Sequence, residues 1–488
     1  MATNRRREVT AVIVRRVAPI GLCFGLVMLA WPSVASAHAY DIGRPDVPIP
    51  ISLFIGGAAG ILVVSFIALS ILWPTTRFEQ EHWRPLPRTV SRVLLNPVTE
   101  VLAGACGAAL LGVVVWSGFY GTNVAIVNFS VTFVFITVWL GGVLVSVLLG
   151  NIYRAFNPWR AIGRAVAVAL NATLGRRTSP PFLYPRRLGR WPAAAGLVVF
   201  VWIELISGVN GPGVTPHVTA VAALVYTAYN FCGMALFGTE PWISNAETFS
   251  VYLGMFSELS PLEVRNRRLG LRRPLSGATH WATVPGSIAV VVAALGGTAF
   301  DGASEGALQH PISTVWLRLM GLGLTLAPAT RIAETLFMAL VIAAVAAIFW
   351  IGVAGMRTVD GSPPLSQLGT KFAHSLIPIG IAYLTAHYFS YFFFGEHGQF
   401  TYLISDPLGT RAAAQISVPT LSPTLIWYVQ VGALVAGHVT GLVLAHDKAI
   451  AVYGDIKRAS LSQRWMLLVM VAFTCIGLYL VSRANGPP

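Results

Sequence analysis

The sequence predicts an all-α, polytopic integral membrane protein, built as a bundle of about ten transmembrane helices. Of its 488 residues, 55% are hydrophobic and only 11% are charged, whereas soluble domains carry about 25% charged residues. A chain with a mean hydropathy of +0.69 has too few charges to cover the surface of a water-soluble fold of this size. These observations exclude a cytosolic enzyme, a disordered chain and a nucleic-acid-binding module.

The first 37 residues have the pattern of a cleaved signal peptide. Five arginines among the first 16 residues precede an apolar run that ends at Trp31, and small residues follow this run. Cleavage after Ala37 would leave His38 as the first residue, and cleavage after Ala39 would leave Tyr40. An N-terminal His38 would offer an α-amine and an imidazole, which together chelate Cu(II).

The mature chain, residues 38–488, is predicted to form one transmembrane domain without a separate soluble part. A helix needs about 20 apolar residues to cross about 30 Å of hydrocarbon. We place ten spans, near residues 50–73, 98–120, 125–149, 191–209, 217–238, 284–300, 331–355, 372–395, 425–446 and 465–482. The four cysteines lie singly in apolar segments, which excludes a disulfide framework and a zinc ribbon.

The arginines and lysines predict how these spans are oriented. They concentrate in five loops, at residues 74–97, 151–190, 239–283, 356–371 and 447–464. Because cytoplasmic loops are rich in Lys and Arg, we expect a multi-pass protein of the plasma membrane with its mature N-terminus outside. The same rule explains the net charge of +14 without a nucleic-acid partner. The two longest of these loops are expected to form amphipathic helices on the membrane surface, with Arg154, Arg160 and Arg164 facing the anionic leaflet.

Ionisable side chains inside the predicted spans are the first candidates for function, because burying them in hydrocarbon is costly. Glu204 lies in the fourth span, His387 in the eighth and His438 in the ninth. Glu204 lies about 8 Å and His387 about 12 Å from the outer ends of their helices. A Glu204–His387 pair is therefore geometrically allowed and suits proton transfer, catalysis or metal ligation. The alternative role of each histidine is a hydrogen bond to a neighbouring helix, and that of Glu204 is a structural polar clamp.

A second pair of histidines lies at the predicted cytoplasmic boundary. His374 and His446 are level there, beside Asp447, where they could bind a cofactor, hold a metal or relay a proton. The alternative is that both imidazoles sit among lipid headgroups. A haem bridged between His387 and His438 is disfavoured, because these two residues differ in depth by about 8 Å.

Histidines and carboxylates also collect in the segments predicted to lie outside. The five candidate metal ligands are His38, Asp301, Glu305, His310 and His397. This mixture of ligands suits Zn²⁺, Cu²⁺ or Mn²⁺. None of the pairs has a diagnostic spacing such as HExxH, and the alternative is that all five are solvated loop residues. The sequence contains neither a phosphate-binding P-loop nor a GxSxG nucleophile elbow.

Several runs of the sequence resemble one family of actinobacterial multi-spanning membrane proteins. They are GNIYRAFNPWRAIGRA, ALFGTEPWISNAETFSVYLGMFSELSPLEV, FDGASEGALQH, FAHSLIPIGIAYLTAHYFSYFFF and WYVQVGALVAGHVTGLVLAHD. Members of this family are often labelled fenitrothion hydrolase, an activity that cleaves an organophosphate triester. The resemblance extends over nearly the whole chain and implies a membrane-bound hydrolase with a small-molecule substrate. The Ala-His sequence at the predicted cleavage site also resembles the mature terminus of periplasmic copper-binding proteins.

Three functions remain open at this point. A metal-dependent hydrolase would use the outer candidates, because a bound ion generates hydroxide and polarises a phosphoryl oxygen. A haem- or copper-binding redox or metal-handling protein would use the four histidines of the eighth and ninth spans, although haem is less favoured than a divalent metal. A proton-coupled transporter would use Glu204 and His387.

We expect the mature protein to begin at His38 or Tyr40, because the small-residue motif that ends the apolar run is a cleavage site. N-terminal sequencing of the purified protein measures this directly. An intact start at Met1 or Ala2 would show that the segment is a retained helix and would remove the N-terminal chelate.

Overall fold

The fold is described here from a computed structural model, which covers residues 51–80, 82–175, 179–208, 214–396, 406 and 423–484. Eight helices in this part of the chain are long and apolar enough to cross a membrane, so the protein is a multi-pass, all-α membrane protein. The signal segment and the first residues of the mature chain lie outside the described residues.

Each of the ten predicted spans coincides with a helix. These helices are α1 (Ile51–Leu72), α3 (Pro97–Tyr120), α4 (Phe129–Leu149), α7 (Trp191–Ile206), α8 (Pro216–Phe237), α12 (Ser287–Ser304), α14 (Leu326–Met356), α16 (Ile377–Glu396), α17 (Pro423–Tyr453) and α18 (Ile456–Ala484). All but α7 and α16 belong to the eight helices of spanning length and composition. Within α4, the nine residues Phe133–Gly141 are π-helical.

Shorter elements connect these helices. They are α2 (Arg88–Leu94), α5 (Tyr153–Phe156), α6 (Pro158–Leu174), α9 (Thr239–Asn245), α10 (Thr248–Ser257), α11 (Ser276–Thr279), α13 (Gln309–Gly321), α15 (Leu365–Phe372) and the strands β1 (Trp83–Pro85), β2 (Leu262–Arg265) and β3 (Arg268–Arg272). The strands form one small antiparallel sheet in the order β1-β3-β2. We did not predict this sheet, because strands of three to five residues give almost no periodic signal.

Helix α12 lies at the centre of the bundle. It packs against α7, α14, α16 and α18, and 78% of its residues are buried. Glycines allow part of this close packing, because a Cβ on Gly296 would lie 2.8 Å from the backbone of Ile342 in α14. A helix enclosed on all sides by protein can carry a polar side chain that lipid would not tolerate.

The five arginine-rich loops meet on one face of the bundle. Strand pairing places Trp83 opposite Arg272, and the Lys448 ammonium lies 2.8 Å from the Glu79 carboxylate. The Arg190 amide of the second loop donates to the carbonyl of Pro285, just after the third loop, at 2.7 Å. The hydroxyls of Ser362 and Tyr453 lie 3.1 Å apart and connect the last two loops. The cation-rich segments therefore share one side, as the orientation predicted from the charges requires.

The expectation of surface-lying helices in the two longest loops is wrong in part. Eight of the ten residues of α10 are buried, and this helix is inserted among α4, α7 and α16. Its N-cap is Glu247, which is fully buried and accepts hydrogen bonds from Asn157, Tyr226 and the amides of Phe249 and Ser250. A carboxylate satisfied in this way can begin a helix inside the protein.

Arg160 also departs from its predicted place on the lipid surface. Its side chain is 8% exposed and forms ion pairs with Glu100 at 2.6 Å and Glu240 at 2.9 Å. The pair with Glu240 joins two similar motifs, Asn-Pro-Trp at 157–159 and Glu-Pro-Trp at 240–242. The tryptophans of these motifs, Trp159 and Trp242, pack in one cluster. An inward-facing arginine thus fastens the second loop to the third.

A reporter fused after Arg190 should read cytoplasmic, and one fused after Gly306 should read extracytoplasmic, because the positive-inside rule predicts that the arginine-rich face is the inner one. Paired alkaline phosphatase and fluorescent protein fusions measure this, since each is active on only one side of the membrane. The reverse pair of readings would invert the whole bundle.

Candidate functional site

An aspartate, a histidine and a tyrosine meet between α12 and α16. His387 Nε2 lies 2.9 Å from Asp301 Oδ2, and the Tyr388 hydroxyl donates to the same oxygen. Asp301 is 1% exposed, and the His387 side chain is 9% exposed. We call these three residues the Asp301 cluster. It is a buried, ionisable site that can hold or release a proton.

The position of Asp301 corrects the prediction that it lies in an extracytoplasmic loop. Helix α12 continues to Ser304, so Asp301 lies in its last turn and faces the protein interior. The sequence suggested an earlier end because the apolar run stops at Phe300. The hydrogen-bond partner of His387 is thus Asp301, whereas the sequence analysis paired His387 with Glu204.

The residues around the cluster leave room for the imidazole of His387. A Cβ on Gly302 would lie 3.1 Å from the Tyr383 hydroxyl and 3.3 Å from His387 Nδ1. The rings of Tyr383 and His387 are nearly parallel, with centroids 6.3 Å apart. The buried Tyr383 hydroxyl has no hydrogen-bond partner within the described residues. A polar group that the cluster does not bind therefore lies next to His387.

Glu204 lies in α7, a neighbour of the central helix. Helix α7 packs against α12, and a Cβ on Gly297 would lie 3.0 Å from the side chain of Val201, which precedes Glu204 by three residues. Tyr252 is fully buried in α10 and stacks on Trp139 of the π-helical segment, with ring centroids 4.4 Å apart. Glu204 and Asp301 are therefore carried by two neighbouring helices.

His438 is buried in α17 and is held by its own helix. Its Nδ1 lies 2.7 Å from the Leu434 carbonyl, and because a carbonyl only accepts, Nδ1 carries the proton of this bond. Nε2 is then an acceptor, and it is buried without a partner among the residues described. His438 is thus a buried histidine with one free nitrogen, apart from the hydrogen bonds of the Asp301 cluster.

Asp447 and His446, predicted at the inner boundary, contact the end of α1 and the turn that follows it. Asp447 accepts hydrogen bonds from the Trp73 indole at 2.9 Å, the Arg77 amide at 2.6 Å and the Phe78 amide at 3.0 Å. His446 Nε2 lies 3.3 Å from the Trp73 carbonyl, and His374 is buried. Asp447 therefore holds the turn after α1, and its oxygens are already occupied by protein donors.

The outer metal candidates do not come together as a set in the described part of the chain. Asp301 is buried in the cluster, and Glu305 follows the end of α12. His310 is the second residue of α13, which begins at Gln309. His38 and His397 lie outside the described residues. Within the residues that the structure describes, no three His, Cys, Asp or Glu side chains are grouped to hold a metal ion.

A cavity of about 1090 Å³ lies between α3, α4, α7, α8 and α10. Its walls are mostly apolar and include Phe200, Leu253 and most of the π-helical segment Phe133–Gly141. The same π-helical segment packs against α16, which carries His387. The cavity and α16 therefore both contact this irregular helical segment.

Sequence reasoning missed three residues of this site, namely Tyr383, Tyr388 and Gly302. A usable signal was present, since Tyr383 and His387 are four residues apart and hence share one face of a helix. Extending α12 by one turn beyond its apolar run would also have brought Asp301 and Gly302 into the bundle.

Tyr388→Phe should destabilise the protein by about 1.5–3 kcal/mol, because it removes a donor to a buried carboxylate. In an Asp301→Asn background the same change should cost at least 1 kcal/mol less, since the charged acceptor is gone. Equilibrium unfolding of the four proteins in a mild detergent measures this coupling free energy. Additive losses would show that the hydroxyl and the carboxylate do not interact.

Comparison with known proteins adds no further assignment. Searches against protein-family models, curated proteins and solved structures found no match. The resemblance to the hydrolase family stays a prediction, and the functional conclusion is drawn from the geometry of the Asp301 cluster and of the apolar cavity.

Proposed function

We propose that this protein is a proton-coupled membrane transporter of an apolar small molecule, in which Asp301 and His387 exchange the proton. The observation that carries the proposal is the buried Asp301 cluster in the central helices of the bundle. Ionisable residues inside membrane proteins mark proton and substrate pathways. The transporter hypothesis named Glu204 and His387; Asp301 now takes the place of direct partner.

Protonation changes the charge of this cluster in a defined way. With His387 charged and Asp301 ionised, the 2.9 Å contact is an ion pair, which hydrocarbon tolerates because the charges cancel. Removing one proton leaves a single negative charge on Asp301, which its hydrogen-bond donors share. An unbalanced charge inside a membrane protein is costly, so a proton gained or lost here shifts the balance between helix arrangements.

The cavity supplies the place for a substrate. Small-molecule sites are usually apolar clefts of about 300–1,000 Å³ with few polar groups, and this cavity, at about 1090 Å³, is slightly larger. Thr219, Tyr226 and Thr248 contribute hydroxyl groups to its lining. A molecule that partitions into the bilayer, with a limited number of polar atoms, matches these walls.

The π-helical segment could couple the Asp301 cluster to the cavity, because it contacts α16 and lines much of the cavity. Most of the residues Phe133–Gly141 line the cavity, and the segment packs against α16. Its Trp139 stacks on Tyr252 of α10. π-Helical turns occur often at functional sites, where the widened backbone gives up a regular hydrogen-bond pattern. A shift of α16 on protonation would therefore press directly on a wall of the cavity.

Proteoliposomes test the proposal with fenitrothion as an apolar probe. A pH gradient should drive accumulation of radiolabelled fenitrothion, and Asp301→Asn should lower the initial rate about tenfold or more, because the exchangeable carboxyl is lost. His82→Ala is the matched control, since His82 is exposed on a loop and should retain the full rate.

Two readouts separate this function from the predicted hydrolase. Release of the nitrophenol leaving group, independent of the pH gradient and retained in Asp301→Asn, would favour the hydrolase and contradict transport. Infrared difference spectra between acidic and alkaline buffer test the proton site without a substrate. A carboxyl band that is unchanged in Asp301→Asn would show that Asp301 takes no part in proton exchange.

A further inference from the structure

A basic pocket of about 320 Å³ opens on the face that carries the small sheet. It lies between α2, the start of α3 and the hairpin that joins β2 to β3. Four arginines line it, namely Arg88, Arg92, Arg267 and Arg268, together with Ser91 and Asn96. None of its lining residues is acidic, so the pocket is a concentrated positive site, separate from the Asp301 cluster.

These arginines differ from the others on the same face. Arg160, Arg164 and Arg272 are each paired with a glutamate. In the described part of the chain, the four pocket arginines have no ion pair, and Arg268 Nε is buried without a hydrogen-bond partner. Converging like charges repel one another, and an anion in the pocket would relieve that repulsion.

The protein holds the pocket open through specific contacts. The Leu269 amide of β3 donates to the Ser91 hydroxyl of α2 at 3.0 Å, and the Leu86 amide donates to the Leu269 carbonyl at 2.9 Å. The hairpin turn itself consists of Asn266 and Arg267, with φ of +49° and +57°. Turns of this type favour glycine at the second position, so Arg267 occupies a conformation that its side chain makes unfavourable.

The surroundings indicate which anion fits. Apolar side chains next to the pocket are solvent-exposed in the isolated protein, with Val93 at 65%, Leu94 at 53% and Val98 at 63%. Helix α3 begins at Pro97 and is one of the spanning helices, so these side chains lie where a spanning helix enters the membrane. Arginine binds phosphate oxygens in a bidentate manner, and a phospholipid supplies acyl chains to the neighbouring apolar surface.

We propose that this pocket binds the phosphate of an anionic phospholipid headgroup. Basic pockets at the cytoplasmic ends of transmembrane helices select such lipids by charge. The pocket is a lipid site of the bundle, and the proposal does not depend on the transport function.

Binding of phosphatidylglycerol to the full-length protein in neutral detergent tests this site. Each arginine removed should weaken binding about fivefold, so Arg92→Ala with Arg267→Gly should weaken it about 25-fold. Arg84→Ala is the matched control, because Arg84 is exposed on β1 of the same sheet but does not line the pocket. It should leave the affinity unchanged.

Arg267→Gly alone separates binding from folding. Glycine adopts the left-handed turn without strain, so this variant should melt at the same or a higher temperature while binding phosphatidylglycerol about fivefold more weakly. Equal affinity in Arg267→Gly and the original protein, or an equal loss in Arg84→Ala, would overturn the proposal. Inorganic phosphate is the second probe: if it binds with the same dependence on Arg267 and phosphatidylglycerol does not, the lipid assignment is wrong.

Discussion

The burial of Asp301 in the central helix is the constraint on which much of this structure depends. A carboxylate in a helix that is 78% buried must find donors, because an unpaired buried charge costs several kcal/mol. His387 and Tyr388 supply these donors from adjacent positions of α16. Their two bonds to one oxygen fix the rotation and depth of α16 against α12, and Gly302 provides the space in which the His387 ring fits.

The arginine-rich face is organised by the same need to satisfy buried charge. Glu247 begins α10 inside the bundle because four donors from three segments surround its carboxylate. Asp447 holds the turn after α1, and Arg160 joins the second and third loops. A few polar contacts thus hold the connecting segments in place. Through the contacts of Glu247, α10 is packed inside the bundle.

Hydropathy and charge were sufficient to predict the ten helices and the shared face of their loops, since both follow from the solvent each residue prefers. Which side chains contact one another inside the bundle could not be predicted in this way. Glu204 and His387 were matched by depth alone, and Asp301 was assigned to a loop because hydropathy falls after Phe300. Helix α10 was missed because ten residues are too few for a span, and burial of Arg160 required knowing that Glu100 and Glu240 approach it.

The packing of α16 against the π-helical segment, which lines much of the apolar cavity, has a thermodynamic consequence. If protonation at Asp301 or His387 favours one position of α16 against the π-helical segment, then a ligand in the cavity must change the proton affinity by the same factor, because coupling free energies are reciprocal. Trp139 of that segment stacks on the buried Tyr252 of α10, so a movement of the segment would also displace α10. Close-packed contacts of this kind shift between discrete arrangements rather than deforming gradually, which is the behaviour that coupled transport requires.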